Sequence, residues 1–572
     1  MSAMMTRWGA ALDANAVLQE YPRPQMVRES YVNLNGYWNY AITDGGAPGA
    51  EYDGRILVPF SPEAPLSGVG RSLAPGQTLW YRRALPCARQ AGLRTLLHFG
   101  AVDQTARVYV NGSLAAEHTG GYTAFSADIS ALLTDGENIL TVAVQDATEA
   151  VPLSRGKQKT KRGGIWYTPQ SGIWQTVWME HVPEEYISAL RITPDAAHGQ
   201  VQIAVLSDAE RECCIVFQGR RIEGRTNSGI TVSVDEPELW SPESPKLYEF
   251  SAELGADKVD SYFALRDVGV GKDEKGRPCL MLNGRPYFHS GVLDQGYWPD
   301  GLYTAPSDAA LVYDIELMKS MGFNMLRKHI KIEPMRWYYH CDRLGMLVWQ
   351  DMMNGGGKYD PITISAPLIT RRHKNDHDYK RFAREDAEGR AQYYRELDEL
   401  TTQLYNCPCI VMWVPFNEGW GQFDAAEAVR RIEAKDATRT IDHASGWHDQ
   451  GIGQIKSLHV YFYPYRFKPD ALGRAVVLSE FGGYNLPVEG HTWNNANFGY
   501  RAYKTREALG RAYAALFARQ ILPAREAGLA ASVYTQLSDV EDEINGFVTY
   551  DRESVKFDAA AVKAINDNLI YG

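Results

Sequence analysis

The chain has 572 residues, 45% hydrophobic and 23% charged, which suits a soluble protein with several buried cores and excludes a disordered one. A formal net charge of −11, a pI near 5.7 and no long basic run argue against a nucleic-acid partner. No stretch offers the roughly 18 apolar residues of a membrane span, and residues 1–25 lack an apolar core with a small-residue cleavage site, so a cytoplasmic protein is expected.

From about residue 30 to 183 short alternating runs such as "ARVYVNGSLAAEH" and "NILTVAVQD" lie between turn signals. Asn111-Gly112 predicts a two-residue hairpin and Asp135-Gly136 another turn, the pattern of a β-sandwich. A second all-β stretch, 184–270, has the size of an immunoglobulin-like sandwich. Its neighbours Cys213 and Cys214 point to opposite strand faces, and seven cysteines without a C-x-x-C pair predict reduced thiols, with neither zinc site nor disulfide framework.

Beyond residue 270 the period changes. Eight strand-like runs follow, "YFHSGVL", "FNMLRKH", "MLVWQD", "CIVMWVPFNE", "RTIDHA", "SLHVYFYP", "AVVLSE" and "AASVYTQ", several separated by helix-length stretches that include 307–321 and 333–344. That predicts a (β/α)8 barrel over 271–572, with its active site at the C-terminal strand ends. Glu418 is expected to end the fourth strand and Glu480 the seventh, so two carboxylates would face each other across the mouth, as glycoside hydrolysis requires. The charged segment 371–390 reads as a solvated helix face, or as a lid over the site.

"WVPFNEGWGQ" and "VVLSEFGG" resemble the acid/base and nucleophile signatures of glycoside hydrolase family 2, the β-galactosidase and β-glucuronidase family. "GAVDQTARVYVNG", "SGIWQTVWMEHV", "RWYYHCDRLGMLVWQD" and "YTQLSDVEDEINGFVTYDR" resemble further family elements in the expected order. The resemblance implies a jelly-roll sandwich (1–183), an immunoglobulin-like sandwich (184–270) and a catalytic barrel (271–572). It makes Glu418 the general acid/base and Glu480 the nucleophile of a retaining exo-β-glycosidase, with Asn417 on the sugar 2-hydroxyl. The apolar strand and Trp420 would raise the Glu418 pKa, while Arg327 and Tyr461 would keep Glu480 ionised.

Other barrel residues are candidates with alternatives. Arg327, His329 and Lys331 share a strand face by their spacing of two, although His329 and Lys331 could equally pack in the rim. Asp294, Gln295 and Asp351 could bind sugar hydroxyls or cap loops. Trp298, Trp447 and Tyr534 could stack on sugar or fill core. Two departures from the family pattern bear on substrate. Glucuronide-cleaving members carry Asn-x-Lys where this chain has Glu543-Ile544-Asn545, so an acidic sugar would meet a carboxylate, with Lys331 the remaining cation. Large β-galactosidases project an Asp before "SGIW", where Trp166 stands here. The expectation is a β-galactosidase-like enzyme acting on terminal sugars, with no cofactor, no metal and an open oligomeric state. The alternatives are β-glucuronide, β-galactofuranoside or α-L-arabinoside specificity, or a non-catalytic carbohydrate-binding protein.

Overall fold

The computed structural model describes residues 4–49, 51–370 and 373–572. In the first sandwich a six-stranded and a four-stranded antiparallel sheet face each other. Alternation sets the faces: in Thr105–Val110, Ala106, Val108 and Val110 point into the core and the residues between them point out. The Asn111-Gly112 turn follows with φ of +52° and +79°, and Val110 pairs with Ser113 across it. The second sandwich has a three-stranded and a four-stranded sheet over its own core. Cys213 and Cys214 are both buried there, and all seven cysteines are free. Arg28 ties the two sandwiches, bonding Asp257 at 2.8 and 3.0 Å and Glu180 at 2.7 Å.

The barrel strands are β1 His289–Asp294, β2 Met325–Lys328, β3 Leu347–Asp351, β4 Ile410–Val414, β5 Thr440–Ile441, β6 Ile455–Val460, β7 Ala475–Gly482 and β8 Leu529–Thr535. All pairings in this eight-stranded sheet are parallel. Six strands are buried along their whole length, as a sheet covered on both faces requires. The ladder is open between β5 and β6. β5 has only two residues, and among the described residues no helix follows β5 or β6.

The segment 371–390 departs from expectation. Arg371 and Arg372 lie outside the described residues, 373–386 runs as turns and loop, and the helix begins only at Ala387, capped by Asp386. The sequence is polar throughout, so its charge pattern could not distinguish loop from solvated helix.

The jelly roll docks on the barrel mouth through the loop 154–167. The amides of Arg155 and Gly156 donate to the Asn354 carbonyl at 2.9 and 3.2 Å. Gly156 is required on two counts: its φ is +61°, and a Cβ there would come within 2.8 Å of the Tyr303 hydroxyl and 2.9 Å of the Tyr122 hydroxyl. Gly156→Ala should therefore destabilise the docked loop by about 1–3 kcal/mol and cut activity with it. Thermal unfolding and turnover measured together check this; an alanine variant with wild-type values for both would contradict a rigidly docked loop.

Candidate active site

The four residues after β4 turn the chain into the barrel mouth. Asn417 bridges to Ser445, so β4 and β5 continue side by side past their formal ends. Glu418 stands four residues beyond β4, not at its last residue, in a left-handed conformation with φ +52°. That backbone costs about 1–3 kcal/mol and is held from both sides. The Glu418 amide donates to the Ser445 carbonyl at 2.9 Å, and the Trp447 indole N–H donates to the Glu418 carbonyl at 2.8 Å. Gly419 follows at φ +70°, where a Cβ would lie 2.4 Å from the His448 ring.

Glu480, within β7, faces Glu418 across His459. The His459 Nδ1 lies 2.8 Å from Glu418 Oε1 and 3.4 Å from Glu480 Oε2, and these groups offer atoms that all lie within 4.8 Å of one another. Burial lowers the His459 pKa to about 4, so the ring is neutral near pH 7. Its Nδ1 faces Glu418 and its Nε2 lies 3.0 Å from the Ser445 hydroxyl, so the ring is held between the two and its tautomer sets which nitrogen donates.

The two carboxyls differ in their partners. Burial pushes Glu418 up to about 7, opposed by the Lys157 and Arg327 charges and assisted by Glu543. Glu480 is raised by the same cause, but it also accepts from Arg327 Nη1 at 3.0 Å and from the Tyr461 hydroxyl at 2.6 Å. Cation and phenol both favour its anion, so the pair loses its first proton at Glu480 and retains the second on Glu418. Tyr461 is fixed in turn by Thr535 at 2.7 Å and by stacking on Tyr500, ring centroids 3.7 Å apart.

Arg327 also bonds both oxygens of Asp351, each at 3.0 Å, and Asn417 Oδ1 at 2.7 Å. Asn417 is thereby oriented with its Nδ2 buried and, among the described residues, without a partner, an open donor beside the carboxylates. His329 bonds Asp351 through Nδ1 at 2.7 Å. The Trp420 ring packs on Trp166 of the jelly roll, centroids 5.0 Å apart, and edge-on to His329 at 6.3 Å. Among the pocket residues it is the burial of Glu418 itself that raises its pKa, and Trp447, not Trp420, bonds the residue.

Several expected residues have structural duties instead. β2 ends at Lys328 and Ile330 has φ +43°, so the two-residue alternation does not extend to Lys331. The Lys331 ammonium is fully buried and donates to the Gly296 and Tyr303 carbonyls and to Glu333 at 2.6–2.8 Å, all three of its donors committed. Asp294 pairs with Lys328 at 2.6 Å and caps the Gly296 turn. Tyr534 is core, packed against Phe481, Phe517 and Phe547. Trp298 is buried beneath the Arg552 guanidinium at 4.0 Å. Gln295, Gln536, Asn545 and Glu543 form a hydrogen-bonded chain with links of 2.8–2.9 Å that ends on the Tyr167 hydroxyl, so Asn545 props Glu543.

The sequence reading missed His459, although its two-residue spacing from Tyr461 was a usable signal. It also missed Lys157 and Tyr167, which the jelly-roll loop brings from another domain and which carry no local signal. Because Lys331 has no free donor, Lys331→Met should destabilise the fold yet leave the ratio of glucuronide to galactoside turnover unchanged. A change in that ratio in folded variant, measured with aryl glycosides, would return Lys331 to the substrate pocket.

Three family models match in order: glycosyl hydrolases family 2, sugar binding domain, over residues 71–183; glycosyl hydrolases family 2 over 186–266; and glycosyl hydrolases family 2, TIM barrel domain, over 278–475. A β-galactosidase of Thermoanaerobacter pseudethanolicus is 25% identical over 386 residues, 62% of this chain and 47% of the relative. The chain spans under half the length of such curated relatives. The β-D-glucuronidase structure of Dictyoglomus thermophilum superposes with a TM-score of 0.73 at 16% identity, covering 96% of this chain and 98% of that one. A β-galacturonidase of Eisenbergiella tayi bound to galacturonate gives 0.69 at 19%, covering 96% and 99%. These structures share the three-part fold, and the ordered run of family models over sandwich, sandwich and barrel places the chain in glycoside hydrolase family 2.

Proposed function

We propose that the chain is a retaining exo-β-glycosidase in which Glu480 is the nucleophile and Glu418 the general acid/base. The observation that carries this reading is the carboxylate pair, whose nearest oxygens lie within 4.8 Å. That bound agrees with the roughly 5–5.5 Å separation of double displacement and falls short of the roughly 6.5–9.5 Å of an inverting pair. In the first step Glu480 attacks C1 while Glu418 gives its proton to the departing oxygen. In the second, Glu418 as carboxylate takes a proton from water, which attacks C1 and releases Glu480. Asn417 Nδ2, oriented by Arg327, is free to donate to the 2-hydroxyl, a bond that strengthens at the oxocarbenium-like transition state.

For the glycone, a neutral β-hexoside with β-galactoside first is the favoured reading. Glu543 supports it, since its carboxylate is buried near Glu418 and held there by Tyr167 and Asn545. The second reading is a β-uronide, favoured by the unpaired Lys157 ammonium beside the Trp420 ring and in keeping with the activities named for the Dictyoglomus and Eisenbergiella structures. A cytoplasmic setting agrees with the seven free thiols. No helix among the described residues is long and apolar enough to cross a membrane.

A panel of aryl β-galactoside, β-glucoside, β-glucuronide, β-galactofuranoside and α-L-arabinoside tests the glycone; turnover of the glucuronide alone would overturn the neutral reading. The pH dependence of kcat/KM should be bell-shaped. Glu418 must be protonated in the first step, so activity falls as pH rises through about 7. Glu480 must be ionised, so activity also falls as its carboxylate takes up a proton at lower pH. Glu418→Gln should lose about 10²–10⁴-fold with poor leaving groups and flatten the alkaline limb, and an unchanged limb would remove Glu418 from the acid role.

A further inference from the structure

Glu418 has to hold a negative charge through the second half of the cycle proposed above, in a pocket that disfavours one. From its own side of the barrel it meets neutral His459, the like charge of Glu480 and the phenol of Tyr461. From the loops beyond β7 and β8 come another phenol, Tyr500, and a further carboxylate, Glu543. β2 offers Arg327 and neutral His329. Arg327 is already committed to Asp351, Glu480, Asn417 and the Ser479 carbonyl.

Lys157 is the cation with no such commitment. The residue is 5% exposed, and among the described residues its ammonium has no hydrogen-bond or ion-pair partner. It lies over two aromatic faces, 5.4 Å from the Tyr167 ring centre and 5.8 Å from that of Trp420. Ring faces return about 0.5–1 kcal/mol to an ammonium that keeps contact with water, and they leave its three N–H donors free for an anion in the pocket. The loop that carries it is fixed to the barrel at Asn354 and by the Trp166–Trp420 contact, so the charge is held beside the ring of Trp420, which follows Glu418 by two residues. Its field acts on Glu418, His329 and His459 alike.

We propose that Lys157 is the counter-cation of the Glu418 carboxylate in the glycosyl-enzyme, a positioning residue that the jelly roll supplies to the chemistry of the barrel. In the first step the bond from C1 to the leaving oxygen breaks, the bond from C1 to Glu480 forms, and the Glu418 proton passes to the leaving oxygen. Lys157 exchanges no proton. Its ammonium faces the anion that this transfer creates, then the same anion as it receives the proton of the attacking water. The jelly roll is thereby a part of the catalytic unit and not only a scaffold, and the inference rests on the glycosidase reading.

The test is the kcat/KM–pH profile of the wild-type enzyme, Lys157→Met, Lys157→Gln and Lys157→Arg on whichever aryl glycoside the wild type cleaves, with tryptophan fluorescence to establish folding. Without the cation, the alkaline limb should move to higher pH by about one unit or more in the Met and Gln variants. It should stay in place in the Arg variant, which keeps the charge. An unmoved limb in a folded, active Met or Gln variant would overturn the proposal. So would an effect confined to a raised KM for β-uronides, which would make Lys157 the seat of a substrate carboxylate. Wild-type protein that turns over no glycoside would defeat the glycosidase reading and this inference together, whereas an active wild type with unmoved variants defeats only the role of Lys157.

Discussion

The site is organised by one guanidinium. Arg327 has five N–H donors, and each has an acceptor: the two Asp351 oxygens, Asn417 Oδ1, the Ser479 carbonyl and Glu480 Oε1, at 2.7–3.1 Å. In this arrangement β2, β3, the β4 loop and β7 are tied at one point inside the barrel, and the planar fork fixes angles as well as distances. A lysine could carry the charge but not five directed bonds. Two chemical consequences follow. Glu480 has a cation beside it and Glu418 has none in contact, so two buried glutamates of the same kind separate into an anion and an acid. Asn417 has its oxygen occupied and its amide nitrogen left open.

Around this point the structure holds conformations that it would not adopt for stability alone. Glu418 has a left-handed backbone, secured by Ser445 and Trp447. Among the described residues the buried Asn417 Nδ2 has no partner, and the Lys157 ammonium faces aromatic rings with no hydrogen-bond or ion-pair partner. The buried amide donor costs free energy where nothing accepts from it. The open ladder between β5 and β6 lies on the same side, with His459 on the β6 edge reaching both glutamates.

Periodicity made the barrel legible: all eight strands overlap the runs read from alternation and apolar content, with ends differing by one or two residues in four of them, because parallel strands buried on both faces are compact apolar segments. Glu418, Glu480, Arg327 and Tyr461 could be read from motif and strand position. The remainder depended on contacts that no local pattern encodes. Lys331 looked like a pocket cation by spacing, but Ile330 breaks the strand geometry and Glu333 takes the charge. Gln295 could be read as a sugar ligand or a loop cap and Asn545 only as standing where relatives carry Asn-x-Lys, and both are links in a chain that supports Glu543. Lys157 and Tyr167 are more than 250 residues from Glu418 in sequence and reach it only through domain docking.

The division of labour between the two glutamates is tested most directly by azide rescue, read as the anomeric configuration of the product. In Glu418→Ala an activated aryl glycoside should still glycosylate Glu480, and azide, which needs no general base, should then restore turnover and give the glycosyl azide with retained configuration. In Glu480→Ala azide should enter the vacated space and displace the leaving group once, giving the inverted product. Inverted azide from the Glu418 variant and retained azide from the Glu480 variant would show that the roles are exchanged, and no rescue of either variant in folded protein would contradict double displacement at this site.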